Sequence, residues 1–224
     1  LKLYSQATLV DLPGCYSLIA RSKEEEIAHQ VIVGHEEAAP EVILCAVDAT
    51  NLNRSLYFLT QVIELERPVV VALTMVDAAE KQGIKVHTEQ LATRLGVPVV
   101  EVCATKGLGI EKLAQTLTAQ VAQPPVKIKH LDLVFTKVPF LREPAERVSA
   151  DLSVGTFFWC LCSSFQASQN GRAKWPESVT LLHQSLWREH PTLGRDLIEA
   201  RFYAVEKLLE GMFTTQHSTD RQTE

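Results

Sequence analysis

The feature that most restricts the possible folds is a regular alternation of apolar runs and helix-period segments between residues 7 and 122. The apolar runs show no polar alternation, which is typical of strands buried on both faces of a parallel sheet. The sequence therefore predicts an α/β domain with a parallel sheet and flanking helices. The predicted strands are ATLVD, VILCAVD, VVVALT and VVEVC, and the predicted helices lie in SKEEEIAHQVIV, LNRSLYFLTQVIEL, HTEQLATRL and GIEKLAQTLTAQVA.

The segment QPPVK at residues 123–127 interrupts this alternation and marks a predicted domain boundary. We expect an α/β domain over residues 1–124, a helical domain over residues 125–213 and a polar linker over residues 214–224. A long helix is predicted within RDLIEARFYAVEKLLEGM. Its expected apolar face consists of Leu197, Ile198, Phe202, Val205, Leu208 and Leu209.

Composition excludes several classes of function. The formal net charge is -5 and the pI is about 5.8, so a nucleic-acid partner is not expected. The longest apolar stretch, LSVGTFFWCLCSSF, is shorter than the roughly 20 residues that a membrane-spanning helix needs. The odd number of cysteines indicates a reducing compartment, and Cys160 and Cys162 are interpreted as core residues because no further ligands lie at metal-binding spacing.

Ligands of open parallel sheets bind at the carboxyl ends of the strands. The first predicted strand ends in Asp11-Leu12-Pro13-Gly14. A carboxylate at this place suits a Mg²⁺ ion, held directly or through water, and a glycine lets a backbone N–H approach a terminal phosphate. An ordinary turn with a capping acid is the alternative interpretation.

The third predicted strand ends in Thr74-Met75-Val76-Asp77. A carboxylate here can accept two parallel hydrogen bonds from the N1–H and N2–H₂ groups of guanine, whereas N1 of adenine is itself an acceptor. A site of this kind rejects the wrong base because the buried carboxylate would stay unpaired. The alternative is that Asp77 only caps the helix that follows it.

The fourth predicted strand ends in Cys103-Ala104-Thr105. A tight loop of small residues lets a backbone N–H reach a purine carbonyl, and the alternative is an ordinary turn into the next helix. Each of the three motifs is a modest signal alone. Their order at the ends of successive strands of one sheet favours a guanine-nucleotide site.

The sequence resembles the cytoplasmic G-protein portion of the bacterial ferrous iron transport protein B family. The resemblance implies a parallel sheet of the P-loop-NTPase-like (TRAFAC GTPase) class with flanking helices, truncated at its N-terminus and followed by a small all-helical domain. The matching segments are VDLPGCYSL, VDATNLNRSLYFLTQVIEL, PVVVALTMVDAAEKQGI, LATRLGVPVVEVCATKGLGIEKL and ARFYAVEKLL.

The same resemblance implies roles for the three strand ends. Asp11–Gly14 would be the switch II motif, in which Asp11 serves Mg²⁺ through water and the Gly14 N–H serves the γ-phosphate. Thr74–Asp77 would hold guanine, and Cys103–Thr105 would line the base. The implied cofactors are GTP or GDP and Mg²⁺, with K⁺ as a candidate. The implied partners are guanine nucleotide and the protein's own permease domain, with a second copy of the chain as a candidate, at the cytoplasmic face of the bacterial inner membrane.

Three residues depart from the family pattern. Thr74 stands where Asn is usual, which would lower base affinity because an amide is lost. Cys15 stands where Thr is usual, next to the switch II glycine, and a thiol orients water poorly, so hydrolysis should be slow. Glu66 replaces a helix-ending glycine, which would cost about 1 kcal/mol if that position is left-handed.

The sequence contains no G-x-x-x-x-G-K-[ST] phosphate loop. We expect either an N-terminally truncated chain, which is the favoured interpretation, or a degenerate paralogue. In both cases the chain as given should bind GTP weakly or not at all and be poorly soluble. The missing strand of the phosphate loop would lie in the middle of the sheet.

Two functions remain open from the sequence. One is a slow GTPase whose nucleotide state gates ferrous iron uptake by a permease, an activity expected of the intact parent and not of this chain. The other is a degenerate or truncated pseudo-GTPase that acts only as an interaction module. A ribosome-assembly GTPase is disfavoured by DATNLNRSLY and by the lack of basic tails.

Overall fold

The computed structural model describes residues 7–18, 23–33, 39–121, 123–124, 128–150, 152–162 and 176–215. The strands are β1 (Ile43–Asp48), β2 (Val69–Thr74), β3 (Ile84–Val86), β4 (Val99–Glu101) and β5 (Phe213–Thr215). The helices are α1 (Lys23–Val33), α2 (Leu52–Ile63), α3 (Val76–Lys81), α4 (Thr88–Leu95), α5 (Ile110–Val121), α6 (Leu131–Lys137), α7 (Arg142–Val148), α8 (Val154–Cys162), α9 (Glu177–Glu189) and α10 (Leu193–Leu209).

The main sheet is parallel, with the strand order β1-β2-β4. Ile43 pairs with Val69 at one end of β1, and Asp48 pairs with Thr74 at the other. The central strand β2 is buried on both faces, which explains its continuous apolar sequence. The parallel sheet with flanking helices confirms the predicted fold class. All three strands direct their carboxyl ends to one edge of the sheet.

The prediction of a buried strand at residues 7–11 is wrong. These residues form no strand, and the side chains of Leu9 and Val10 are each 59% exposed. A strand needs a neighbour that satisfies its backbone N–H and C=O groups. No strand among the described residues pairs with this segment, and none pairs with the outer edge of β1.

A second, two-stranded sheet was not predicted from the sequence. Strand β3 pairs antiparallel with β5, so that Ile84 faces Thr215 and Val86 faces Phe213. Strand β5 therefore extends two residues into the segment that was predicted as a linker from residue 214, and residues 216–224 of that segment lie outside the described residues. Residues 125–127 of the predicted boundary also lie outside them.

Helix α10 takes part in two apolar cores. Its first half, through Leu197 and Ala200, packs in a core formed by the helices α6 to α10. Its second half, through Val205 and Leu208, packs in a core with α2 and one face of the main sheet. The opposite face of the sheet is covered by α5, chiefly through Leu113. The predicted apolar face of α10 is thus confirmed at Leu197, Val205, Leu208 and Leu209. Ile198 is only partly buried, and Phe202 is 47% exposed and stacks on the ring of Tyr57 at 4.5 Å.

A buried ionic cluster joins α2 to the helices that follow residue 128. Glu64 directly follows α2, and its Oε1 lies 3.0 Å from Nε2 of His130 while its Oε2 lies 2.5 Å from Nη2 of Arg201. All three side chains are nearly or fully buried. The carbonyl oxygen of Glu64 also accepts the N–H of Gly155 at 2.8 Å. One residue of the α/β part therefore contacts three separate segments of the helical part.

Glu66 lies two residues further along the chain and adopts a left-handed conformation with φ of 59°. Its N–H donates to the carbonyl of Ile63 at 3.0 Å, which ends α2 and turns the chain toward β2. This is the condition under which the sequence analysis assigns a cost of about 1 kcal/mol to a residue other than glycine. The strain follows because the Cβ of an L-residue crowds the backbone in this region.

Candidate functional site

The segment Thr74–Asp77 connects the end of β2 to α3 through a strained turn. Met75 has φ of 58° and ψ of 24°, in the left-handed region, and its side chain is half exposed. The hydroxyl of Thr74 donates to the carbonyl of Val47 at 3.1 Å, and the N–H of Ala49 donates to the carbonyl of Thr74 at 3.0 Å. Thr74 is thus tied to the end of β1, and Asp77 lies in the first turn of α3.

The segment Cys103–Thr105 begins a compact loop beyond β4. Cys103 and Leu108 exchange two backbone hydrogen bonds of 3.1 Å each, which close the loop at its base. A single 3-10 turn covers Ala104–Lys106, and Ala104 and Thr105 are exposed. The fold requires Gly109 beyond this loop, because its φ is 78° and a Cβ there would lie 1.9 Å from the carbonyl oxygen of Glu101.

Asp77 and Lys106 bring these two loops together. The Oδ2 of Asp77 lies 4.0 Å from Nζ of Lys106, and the two side chains are 34% and 58% exposed. An ion pair this open to solvent is worth less than about 1 kcal/mol. The carboxylate of Asp77 is therefore accessible to a ligand at the carboxyl edge of the sheet, and a base that offers two donors can replace the ammonium group.

The segment Asp11–Gly14 lies beside α2. Asp11 and Gly14 are exposed, and Leu12 packs against the core that α2 shares with the sheet. The segment is held from its C-terminal side, where the N–H of Leu18 donates to Oε1 of Gln61 at 2.7 Å. The contacts described for this segment are therefore with α2 and its core, while Thr74–Asp77 and Cys103–Thr105 meet at the strand ends.

Sequence reasoning assigned no role in the site to Lys106 or Gln61, and it gave Arg54 a surface role by default. Lys106 adjoins a predicted motif but was not assigned to it, and the ion pair with Asp77 depends on the conformation of the loop. The guanidinium of Arg54 lies 3.6 Å from the ring centroid of Tyr16, which ties the segment after Gly14 to α2. Gln61 binds the same segment from a buried helical position, where its sequence signal is that of an ordinary core-facing residue.

The cysteine beside the switch-like glycine is a thiol at neutral pH. Burial raises the pKa of Cys15 to about 11, and the negative charge of Glu25 adds to this effect. A protonated thiol is a weak hydrogen-bond donor and acceptor. The side chain is therefore poorly suited to orient an attacking water molecule.

Among the described side chains, no group of three or more His, Cys, Asp or Glu residues is arranged to hold a metal ion. Mg²⁺ in phosphate-binding sites needs only one or two protein carboxylates, because the substrate phosphates and water supply its other ligands. The exposed carboxylate of Asp11 fits that requirement.

The model of the family described as "Ferrous iron transport protein B" matches residues 2–117, which is more than half of the chain. The chain belongs to this family. The Fe(2+) transporter FeoB of Salmonella typhimurium is 33% identical over 223 residues, covering 94% of this chain and 28% of that protein. FeoB of Escherichia coli K12 is 42% identical over 130 residues, covering 56% of this chain and 16% of that protein.

Solved structures of the FeoB family have the same fold. The cytosolic domain of Legionella pneumophila FeoB has a TM-score of 0.67 and 29% identity, covering 91% of this chain and 79% of that chain. A GDP-bound mutant of the S. thermophilus FeoB G-domain has a TM-score of 0.68 and 25% identity, covering 91% and 80%. The chain spans 28% of the first curated relatives. Each helix in the described part of the chain is too short or too polar to traverse a lipid bilayer.

Proposed function

We propose that this chain is the guanine-nucleotide-binding part of a ferrous iron transporter. The observation that carries the proposal is the meeting of Asp77 and Lys106 at the carboxyl edge of the β1-β2-β4 sheet. This edge is where open parallel sheets bind ligands. Relatives with the same fold are described as bound to GDP or to GMPPNP.

In the proposed complex, Asp77 accepts two hydrogen bonds from the N1–H and N2–H₂ groups of guanine and releases Lys106. The ion pair that is lost is weak, whereas the new bonds to a carboxylate are charge-assisted. Thr74–Val76 support this carboxylate, and Cys103–Thr105 line the base, with the backbone N–H groups of Ala104 and Thr105 directed to the guanine carbonyl. Adenine is rejected because it cannot supply the second donor.

On the phosphate side, Asp11 would serve Mg²⁺ through water, with Leu12 and Pro13 shaping the turn and the Gly14 N–H facing the γ-phosphate. The protonated thiol of Cys15 leaves the attacking water poorly oriented, so hydrolysis is slow. A bound Mg²⁺ ion would neutralise charge that develops on the phosphates. K⁺ and self-association remain predictions of the family resemblance.

At the level of the whole transporter, we propose that the nucleotide state gates Fe(II) uptake by a membrane permease domain at the cytoplasmic face of the bacterial inner membrane. The proposed division is a nucleotide-binding domain over residues 1–124 and a helical regulatory domain over residues 125–213, with the predicted linker over residues 214–224 beginning inside strand β5. Helix α10 supports a regulatory role for the helical part, since it shares a core with the sheet.

The second candidate is a pseudo-GTPase that acts only as an interaction module. It is favoured by one observation, the absence of a G-x-x-x-x-G-K-[ST] motif from the 224 residues. Phosphate binding contributes much of the affinity of a nucleotide site. The two candidates differ in one measurable property, which is whether Asp77, at the carboxyl edge of the sheet, still selects guanine.

Nuclear magnetic resonance can test base selection even when binding is weak. We expect millimolar GDP, but not ADP, to shift the amide signals of Thr74–Asp77 and Cys103–Thr105. Equal shifts with both nucleotides, or none, would overturn the proposal. Asp77→Asn should exchange the preference from guanine to xanthine nucleotides, because an amide matches the acceptor and donor of that base. Asp132→Asn, at an exposed residue of α6, is the matched control.

A further inference from the structure

Strand β5 forms backbone hydrogen bonds with β3, which follows the candidate guanine-binding loop Thr74–Asp77 and helix α3 in the chain. Strand β5 pairs with β3, whose partner residues run from Ile84 opposite Thr215 to Val86 opposite Phe213. Just before β5, the carbonyl of Met212 accepts the N–H of His87 at 3.1 Å. The chain from residue 84 to residue 87 therefore holds residues 212 to 215 through backbone hydrogen bonds.

A side chain from α4 strengthens this junction. Nη1 of Arg94 donates to the carbonyl oxygens of Leu208 and Glu210, at 2.7 Å each, and lies 3.5 Å from that of Lys207. These are carbonyl groups at the end of α10, which lack partners within the helix. A cation at a helix C-terminus is favourable both as a donor and by its charge. Arg94 thus fixes the end of α10 to α4.

The junction of β3, α4 and β5 shares a hydrophobic core with α3, the helix that carries Asp77. Met212 is fully buried in the same core as Ala79 of α3, Val86 of β3 and Leu91 of α4. Helix α3 is joined to β3 by only two residues, of which Gly83 has φ of 74° and supplies the tight turn. A displacement of β3 is therefore passed to α3 through a short and tightly packed link.

At its other end, α3 is attached to the sheet through the strained residue Met75. A left-handed non-glycine residue persists only where the surrounding structure holds it in place. Ala79 anchors one side of this turn in the core, and the hydroxyl of Thr74 anchors the other. The position of Asp77 on α3 thus depends on how firmly α3 and β3 are held.

We propose that β3, α4 and β5 form an anchor that couples the C-terminal strand to the position of Asp77. Pairing of β5 with β3 holds α3 in its base-reading position, and Arg94 acts as a positioning residue through α4 and α10. By thermodynamic reciprocity, guanine binding at Asp77 stabilises the pairing of β5. The affinity part of this inference rests on the proposed function, whereas the mechanical part does not.

Two truncations form a matched pair for the test. One ends after Thr215 and removes only residues beyond β5, and the other ends after Met212 and removes the strand. Amide hydrogen exchange, read residue by residue, reports local opening. We expect exchange in α3 to accelerate roughly tenfold after Met212 truncation and to stay unchanged after Thr215 truncation. Helix α5, on the opposite face of the sheet, should keep its protection in both.

Unchanged exchange in α3 would overturn the inference, as would equal acceleration in α3 and α5, which indicates global destabilisation. If the truncated chain does not fold, Arg94→Ala tests the same coupling at full length, with Arg147→Ala, at an exposed residue of α7, as control. We expect Arg94→Ala, but not Arg147→Ala, to accelerate amide hydrogen exchange in α3 roughly tenfold. We also expect Arg94→Ala to reduce the GDP-dependent amide shifts roughly tenfold.

The outcomes separate the two proposals. Faster α3 exchange without any GDP response supports the anchor and removes the proposed nucleotide function. A normal GDP response with unchanged α3 exchange in every variant removes the anchor and leaves the function intact. Protection of β5 amides on addition of GDP, but not of ADP, is the expected sign of reciprocity.

Discussion

Arg201 donates from Nη2 to Oε2 of Glu64 at 2.5 Å, across an interface where the two side chains are 4% and 0% exposed. The pair joins the end of α2 to the middle of α10, and His130 binds the second carboxylate oxygen. Breaking a buried pair is costly because it leaves a charge without compensation. The Glu64–Arg201 pair therefore fixes how the helical part is seated on the α/β part.

The first prediction concerns this pair. Glu64→Gln removes the negative charge and leaves Arg201 buried, so the free energy of unfolding should fall by about 3 kcal/mol. Urea denaturation followed by tryptophan fluorescence measures the change. Glu143→Gln, at an exposed ion pair with Arg147, is the control and should have no resolvable effect. Equal stability of the two variants would contradict a structural role for the cluster.

Gly155 permits the close approach of α8 to the end of α2. A Cβ at this position would lie 2.7 Å from the carbonyl carbon and 2.8 Å from the carbonyl oxygen of Glu64. Gly155→Ala should therefore reduce the free energy of unfolding by about 1–3 kcal/mol, because backbone must shift. Gly194→Ala meets only the ring of Trp187 at 3.4 Å and should be neutral or stabilising. Thermal denaturation of both variants measures the two changes in stability, and an equal effect of the two substitutions would contradict the prediction.

Glu66 offers a stabilising substitution. Its φ of 59° is strained for an L-residue and unstrained for glycine. We expect Glu66→Gly to raise the free energy of unfolding by about 1 kcal/mol, even though glycine adds entropy to the unfolded chain. Glu66→Ala keeps the strain and removes the same carboxylate, so it should bring no gain. If both variants are stabilised equally, the effect belongs to the charge and not to the backbone.

The buried thiol of Cys45 should make stability fall at alkaline pH. Burial raises its pKa to about 12, with a smaller contribution from Cys15, against 9.0 for the unperturbed thiol. Because the folded state holds the proton more tightly, this contribution is complete below pH 9 and is lost as pH rises toward 12, by about 1.4 kcal/mol per pH unit. Cys45→Ala should flatten the decline between about pH 9 and 10.5, measured by urea denaturation. If the free energy of unfolding of Cys45→Ala fell with pH as steeply as that of the unsubstituted protein, Cys45 would not be the cause of the decline.

The parallel sheet and the long helices could be predicted because their burial leaves regular patterns in the sequence. Strand β2 is apolar from Val69 to Leu73 because both of its faces are covered. Residues 7–11 carry a similar pattern, yet form no strand without a neighbour, because pairing is a property of two segments. Strands β3 and β5 have three residues each, too few to show a period.

The candidate site could be predicted only in part. Thr74, Asp77 and Cys103 were predicted as site residues because they lie at or just beyond the ends of apolar runs. Lys106 and Arg54 act through the conformation of a loop and the position of a neighbouring ring, and neither relationship has a fixed spacing in the sequence. Phe202 was assigned to the core by helical periodicity, but its ring stacks on Tyr57 at the surface.

The outer edge of β1, which no described strand pairs, gives the protein an aggregation hazard. Every second residue of Ile43–Asp48 directs its backbone donor and acceptor toward this edge, because the others pair with β2, and such edges recruit strands from other molecules. We expect concentrated solutions to form intermolecular β-structure, visible as increased light scattering together with thioflavin T fluorescence. A lysine introduced at the exposed residue Ala46 should delay this self-association by adding like-charge repulsion along the edge.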